Sequence, residues 1–289
     1  MRGETTDGLL LVDKPAGMTS HDVVLAARRA FAESRIGHAG TLDPFATGLL
    51  VLLLGRATRL LPYLDGVPKE YEATIALGRE TETDDLHGAV VAEAPPPSDA
   101  AIADAIAQLT GSLEQVPPAY SAKRVAGRRA YDAARAGVAL ELAPVRVDVF
   151  EWAEVVREGD ILRATISCGG GTYIRSLARD LGRLTGSAAH LVALRRIRSG
   201  PFRVADAVDV ETLRGGQARL RPALDALPSI PHVRVAAEDA ERLLRGIAVA
   251  RTDVAAHAAL VDERSGALIA FAEGVGATWQ PRVVMHKIG

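Results

Sequence analysis

Residues 161–184 read ILRATISCGGGTYIRSLARDLGRL, and the period of their apolar side chains changes part-way along. Leu162, Ala164, Ile166 and Cys168 alternate with Arg163, Thr165 and Ser167. That period of two turns one face of a strand inward and the other outward. Three glycines, 169–171, interrupt the pattern, and beyond them Ile174, Leu177, Ala178, Leu181 and Leu184 recur at helical spacing, with Tyr173 and Arg175 off that stripe. The stretch is therefore a strand that passes through glycines, which permit close backbone approach, into an amphipathic helix.

The same two periods organise the rest of the chain. GLLLVD (8–13) and GLLVLLLG (48–55) are apolar runs of buried-strand length, and EYEATIALG (70–78) alternates with Tyr71, Ala73, Ile75 and Leu77 on one face. KPAGMTS (14–20) is a turn whose Ser20 is placed to cap a helix over 21–33, where Val23, Val24, Ala27 and Phe31 share a face. PPPS (95–98) breaks the chain before a short helix, DAAIADAIAQLTG (99–111), that Gly111 closes. Two prolines in ALPSIPHV (226–233) mark a linker near residue 230, and beyond it a short helix (237–246) and several strands follow, including a hairpin over 260–271. Strands and helices interleave irregularly, which points to an α+β fold rather than a regular parallel array.

Composition bounds the function. The chain has 289 residues, 48% apolar and 24% charged, ordinary for a globular protein with a substantial core. The longest apolar run, Leu49–Leu54, is far short of a membrane span, and MRGETTDG carries no apolar leader. Cys168 is the only cysteine, which excludes an internal disulfide and fits a reducing cytoplasm. Net charge is −2, yet charge is segregated: seven acids and no Lys or Arg lie between Glu80 and Asp104, and seven arginines with one acid between Thr172 and Arg203. Five basic residues with one acid lie between Lys123 and Arg135. Such blocks can form a basic face suited to a polyanion, or be solvated helix faces.

P-loop, nucleophile-elbow and zinc-protease motifs are missing from the sequence, and the seven histidines include no i, i+4 pair, so no metal is expected. What remains is a set of polar, glycine-flanked segments: RIGHAGTLDPFATG (35–48) with His38 and Asp43, KEYEA with Tyr71, and the Tyr173–Arg175 helix start. A carboxylate nucleophile stays ionised and oriented beside an arginine, and an aromatic ring holds a planar base by stacking. Asp43, on its own, is equally an Asp-Pro turn residue.

Six ordered segments carry a resemblance. GLLLVDKPAGMTSHDVV, GHAGTLDPFATGLL, KEYEATIALGRETETDD, VPPAYSAKRVAGRRAY, GGGTYIRSLARDLG and AHLVALRRIRSGPF resemble, in order, the motifs of the bacterial tRNA pseudouridine-55 synthases, the TruB family, over about residues 8–225. The resemblance implies a mixed, largely antiparallel central sheet with flanking helices. It implies isomerisation of one uridine in the tRNA T loop to pseudouridine by base flipping, without metal, cofactor or obligate protein partner, by a cytoplasmic monomer. Asp43 would be the nucleophile, attacking either C6 of the base or C1′ of the ribose. Tyr71 would stack on the uracil and could assist proton removal at C5, Arg175 pair with Asp43, Tyr173 line the pocket and Leu194 pack on the base. His38 would fill the gap left by the flipped nucleotide, Asp85 sit near the site, and Lys14 bind substrate or position the opening loop. The insertion at about 120–145 would clamp RNA, with Lys123, Arg124, Arg128, Arg129, Arg195, Arg196 and Arg198 meeting phosphates. The expected domains are 1–230, catalytic, and 231–289, a small C-terminal domain; the family's module there is often PUA-like, a pattern that 231–289 matches poorly.

Overall fold

The structure, a computed structural model, describes residues 6–64, 68–120, 124–125, 128–129, 142–251 and 253–285. In chain order the elements that frame the site are β1 (Gly8–Lys14), α1 (Ser20–Phe31), β2 (Ile36–His38), β3 (Thr47–Leu54), β4 (Lys69–Leu77), α2 (Asp99–Gln108), β5 (Gly111–Gln115), β6 (Val145–Glu158), β7 (Ile161–Cys168), α3 (Ile174–Leu184) and β8 (Ala189–Ser199). They continue as β9 (Val208–Asp209), α4 (Val210–Arg214), β10 (His232–Val235), α5 (Ala237–Leu244), β11 (Val249–Ala250), β12 (His257–Asp262), β13 (Leu268–Val275) and β14 (Thr278–Val284). Among the described residues, β1–β9 and β10–β12 are parallel, while β1–β3, β2–β3, β4–β7, β4–β8, β5–β6, β6–β7, β11–β14, β12–β13 and β13–β14 are antiparallel, so the α+β, largely antiparallel expectation holds. Among the described residues, no helix is long and apolar enough to cross a membrane.

The chain divides into two compact units, Met1–Pro44 with Gly48–Asp65 and Pro201–Gly289, and Phe45–Thr47 with Gly66–Gly200. This differs from the expected boundary near residue 230, and packing explains why. In the first unit β1 and β3 pair through their whole length, and both are apolar on both faces. Leu9, Leu11, Leu49, Val51 and Leu53 share one core with Phe202, Leu227, Val261 and Phe271, so the C-terminal strands are packed into the unit rather than hung from a linker. Leu10, Val12, Leu50, Leu52 and Leu54 pack on the other side with Val23, Val24 and Ala27 of α1 and with Val210 and Leu213 of α4. A strand covered on both sides reads as a continuous apolar run, as these two do.

The second unit has strand order β8-β4-β7-β6-β5. Burial alternates along β4 and β7, with Tyr71, Ala73, Ile75 and Leu77 buried beside Leu162, Ala164, Ile166 and Cys168. Helix α3 packs on β8 and β4. A one-residue slip of β4 would turn Ile75, Leu77 and Tyr71 out, at about 1.5–3 kcal/mol for each large side chain, and its glutamates in; register is therefore firmly set.

Three local expectations are corrected. The N-cap of α1 is Thr19, not Ser20: Asp22 N–H donates to the Thr19 hydroxyl, and Thr19 N–H to the Asp22 carboxylate, a reciprocal capping box. Helix α2 ends at Gln108, and Gly111 (φ +100°) opens β5 instead of closing the helix. The Arg175 side of α3 is buried like the apolar stripe, Arg175 being 4% and Arg179 6% exposed.

Candidate active site

In the first unit the loop bearing Asp43 is tied down on both sides of that residue. Because Thr19 caps α1, the hydroxyl of Ser20 is turned elsewhere: buried, it accepts from Leu42 N–H at 2.9 Å and donates to Leu42 C=O at 3.1 Å. On the other side, Pro44 C=O accepts from Gly17 N–H at 2.8 Å and from Lys14 Nζ at 3.4 Å. Lys14 Nζ also donates to Met18 C=O at 2.7 Å and Pro15 C=O at 3.0 Å, and its side chain is fully buried. Lys14 Nζ is thus bonded from within the fold to main-chain carbonyls of the Asp43 loop and of the β1–α1 connection. Asp43 itself is half-buried between these tethers. His38 ends β2 opposite Leu52, half-buried. Gly40 (φ +91°) and Gly48 (φ +102°) bracket the loop in the left-handed region that side chains avoid.

In the second unit β4 sets Tyr71 between Ile166 of β7 and Arg196 of β8. Leu194 stands opposite Ala73, two residues along from Arg196, so Tyr71 and Leu194 share one face. Arg196 is only 1% exposed. Arg198 is half-buried and bonded to Glu70 at 3.0 Å, and Arg195 is half-buried. Lys123 lies outside the described residues, as do the side chains of Arg124, Arg128 and Arg129, whose backbone forms a two-stranded ribbon.

The arginines of α3 meet the acidic block. Arg175, Arg179 and Arg183 stand at i, i+4 and i+8, and pair with Asp85 (3.3 Å), Asp84 (2.8 Å) and Glu80 (2.6 Å). Three of the seven arginines that suggested a basic face are thus neutralised within the fold. Arg175 Nη1 also donates to Thr83 C=O at 3.0 Å. Asp85 is held in turn: its Oδ1 accepts the Thr83 hydroxyl at 2.7 Å and His87 N–H at 3.0 Å. The ring of His87 stands edge-on to that of Phe45 at 6.1 Å. Asp84, in the left-handed region (φ +59°), has its carboxyl raised to about 6 because burial outweighs the attraction of Arg179. Cys168 is buried and its thiol pushed up to about 11 by that burial, so it is no nucleophile. Among the described residues, no group of three His, Cys, Asp or Glu could hold a metal ion.

From the sequence Ser20 is legible only as a helix cap, and the Asp84–Arg179 pair not at all. The signal for Ser20 was present: Thr19 and Asp22 form a capping box by themselves, which leaves the serine hydroxyl for another use.

Comparison with known proteins places these elements. The chain overlays a chain of an H/ACA RNP bound to a substrate RNA containing 2′-deoxyuridine with a TM-score of 0.72 at 22% identity, over 96% of this chain and 84% of that one. It overlays a chain of a Cbf5-Nop10-Gar1 complex at 0.70 and 24%, over 97% and 85%. The chain shares the fold of these two chains. Residues 28–174 match the TruB family pseudouridylate synthase (N terminal domain), and residues 175–227 the tRNA pseudouridylate synthase B C-terminal domain. A tRNA pseudouridine synthase B of Leifsonia xyli is 48% identical over 254 residues, 84% of each chain; that of Thermobifida fusca is 43% identical over 289 residues, 96% of this chain and 98% of its own. The chain belongs to the TruB family of pseudouridylate synthases, and its class of reaction is the isomerisation of uridine to pseudouridine.

Proposed function

We propose that this chain converts uridine 55 in the T loop of tRNA to pseudouridine, with Asp43 as the nucleophile. The observation that supports Asp43 is its setting: Leu42 is hydrogen-bonded to the buried Ser20 hydroxyl, and Pro44 C=O to Gly17 N–H and the buried Lys14 Nζ. Such two-sided tethering preorganises a loop carboxylate at low reorganisation cost. The target base leaves its stack, at a cost of a few kcal/mol, and Tyr71 and Leu194 receive it, while His38 takes the vacated place in the loop. Arg175 is the counter-charge that holds Asp43 ionised, Asp85 orients that arginine, and Tyr173 lines the pocket. The N1–C1′ bond breaks, the uracil turns, and C5–C1′ forms; C5 gives up its proton and N1 gains one. The substrate's own atoms balance, so the isomerisation has no net redox demand and needs no cofactor. Lys123, Arg124, Arg128, Arg129, Arg195 and Arg198 supply phosphate contacts.

The test is a chemical or mass-spectrometric map of pseudouridine in an unmodified tRNA transcript after incubation with the protein. Conversion at position 55 is expected, and conversion only elsewhere would overturn the T-loop assignment. The tethers make a prediction of their own. Ser20→Ala strips Leu42 of both side-chain hydrogen bonds, a loss of about 1–3 kcal/mol where the groups stay buried. Turnover is expected to fall by about 10–100-fold with KM for tRNA nearly unchanged, since displacement of a reacting group by an ångström costs on that order. Steady-state kinetics check it; a wild-type kcat would show that the loop holds without Ser20.

A further inference from the structure

Gln115 is the last residue of β5, and its side chain is wholly buried, 0% exposed. Its amide bridges two main-chain groups of a single residue: Tyr173 N–H donates to Oε1 at 2.8 Å, and Nε2 donates to Tyr173 C=O at 3.1 Å. Tyr173 is the N-cap of α3, and its own side chain caps nothing. It follows Gly169–Gly171, of which Gly171 lies at φ +89°. Between these glycines and Tyr173 stands only Thr172, whose hydroxyl donates back to Gly169 C=O at 3.0 Å, within the turn and not to the helix, and glycine is the residue with most freedom to lose. The Gln115 amide supplies a constraint here, acting as a one-residue strand partner.

The neighbouring main chain continues the attachment. Val116 C=O accepts from the Ser176 hydroxyl and from Arg179 Nη2, both at 2.9 Å. Tyr120 C=O accepts from Arg175 Nη2 at 3.0 Å, and the Tyr120 hydroxyl donates to Glu82 at 2.9 Å. Residues 115–120 thus hold α3 at Tyr173, Arg175, Ser176 and Arg179, all within its first two turns. Arg175 spends one guanidinium nitrogen on this strap and another on Thr83 and Asp85, so the direction of its side chain depends on both.

We propose that Gln115 is a positioning residue for the uridine isomerisation: by clamping the main chain of Tyr173 it sets where Tyr173 and Arg175 enter the site. The inference rests on the proposed roles of those two residues. Gln115 touches no substrate in this account, so its loss shows in the chemical step and not in tRNA binding.

The experiment is a comparison of kcat and KM on a tRNA transcript for wild type, Gln115→Met, Gln115→Asn and Arg175→Gln, with thermal melts of each. Met keeps the length and burial of Gln without the amide; Asn keeps the amide one methylene too short to span both Tyr173 groups. Either variant that folds is expected to lose about 10–100-fold in kcat with KM within about twofold of wild type. A kcat within about threefold of wild type in a folded Gln115 variant, beside a large loss in Arg175→Gln, overturns the positioning role alone. Wild-type turnover in Arg175→Gln overturns the reading of the site, and the inference with it. A rise in KM with unchanged kcat in the Gln115 variants would place the residue in RNA binding, against the proposal.

Discussion

Asp43→Asn is expected to abolish pseudouridine formation, by a factor on the order of 10⁴ or more, while tRNA is still bound. The substitution replaces a carboxylate oxygen by an amide nitrogen and leaves volume and shape almost unchanged. The tethers that define the loop, Ser20 to Leu42 on one side and Lys14 and Gly17 to Pro44 on the other, do not involve the Asp43 side chain and persist in the variant. What is lost is the negative charge and the nucleophilic oxygen. Removing a nucleophile that forms a covalent intermediate costs far more than removing a group that merely binds. Pseudouridine yield over time, with filter binding of tRNA and a thermal melt in parallel, checks this. Turnover above a tenth of wild type in a folded Asp43→Asn protein would mean that another group does the chemistry. Loss of tRNA binding together with activity would give Asp43 a structural role in the loop instead.

How much of this was legible in the sequence depended on whether periodicity survived. Strands β4 and β7 and helix α3 were readable because one face of each is buried without interruption. Strand β8 was not: Arg195, Arg196 and Arg198 break the alternation, and register shifts at Leu191/Ala193 and Arg196/Arg198 change its phase twice. Much of β6 is solvated beyond Val149, so nothing in its pattern of side chains marks fourteen residues of strand. The C-terminal strands were read correctly as strands but assigned to a separate domain, because prolines 228 and 231 mark a turn, and only packing reveals that Val261 and Phe271 share a core with Leu9 and Leu49. The opening loop announced Asp43 through its resemblance to a family, not through chemistry that spacing could prove.

The arginines show the limit most clearly. Their i, i+4, i+8 spacing on α3 is visible in the sequence, and so is the acidic block of residues 80–104. Their partners lie about ninety to a hundred residues away in sequence, and a pairing so distant is set by topology, not by local pattern. Read as separate patches, the blocks suggested a basic face; folded, three of the arginines pair with three of the acids. Arg175 is withdrawn from solvent by the same ladder that orients it, which is a different use of charge from phosphate binding.

That ladder carries an asymmetric prediction at its middle rung. Arg179→Met is expected to destabilise the protein by about 3–5 kcal/mol, and Asp84→Asn by much less. Arg179 uses three nitrogens, on Asp84, Asp180 and Val116 C=O, at 2.8, 2.9 and 2.9 Å, so its removal leaves a buried carboxyl and a carbonyl unserved at once. Asp84 is a poorer ion than its partner is a donor: burial raises its pKa from 3.8 to about 6 even with Arg179 beside it. An asparagine still accepts from Arg179 and escapes the cost of burying a charge. The sign follows from linkage. The folded chain holds this proton more tightly than the unfolded one, so the group's contribution to stability falls as pH rises from 3.8 to about 6 and is at its least favourable above that. Asn does not titrate, so Asp84→Asn is expected to gain on wild type by about 2 kcal/mol between pH 4 and pH 7. Urea unfolding of the three proteins at both pH values measures it. Equal losses for Asp84→Asn and Arg179→Met at pH 7, or a stability difference between Asp84→Asn and wild type that does not move with pH, would mean that the ion pair itself, and not the arginine's service to three acceptors, holds this part of the fold.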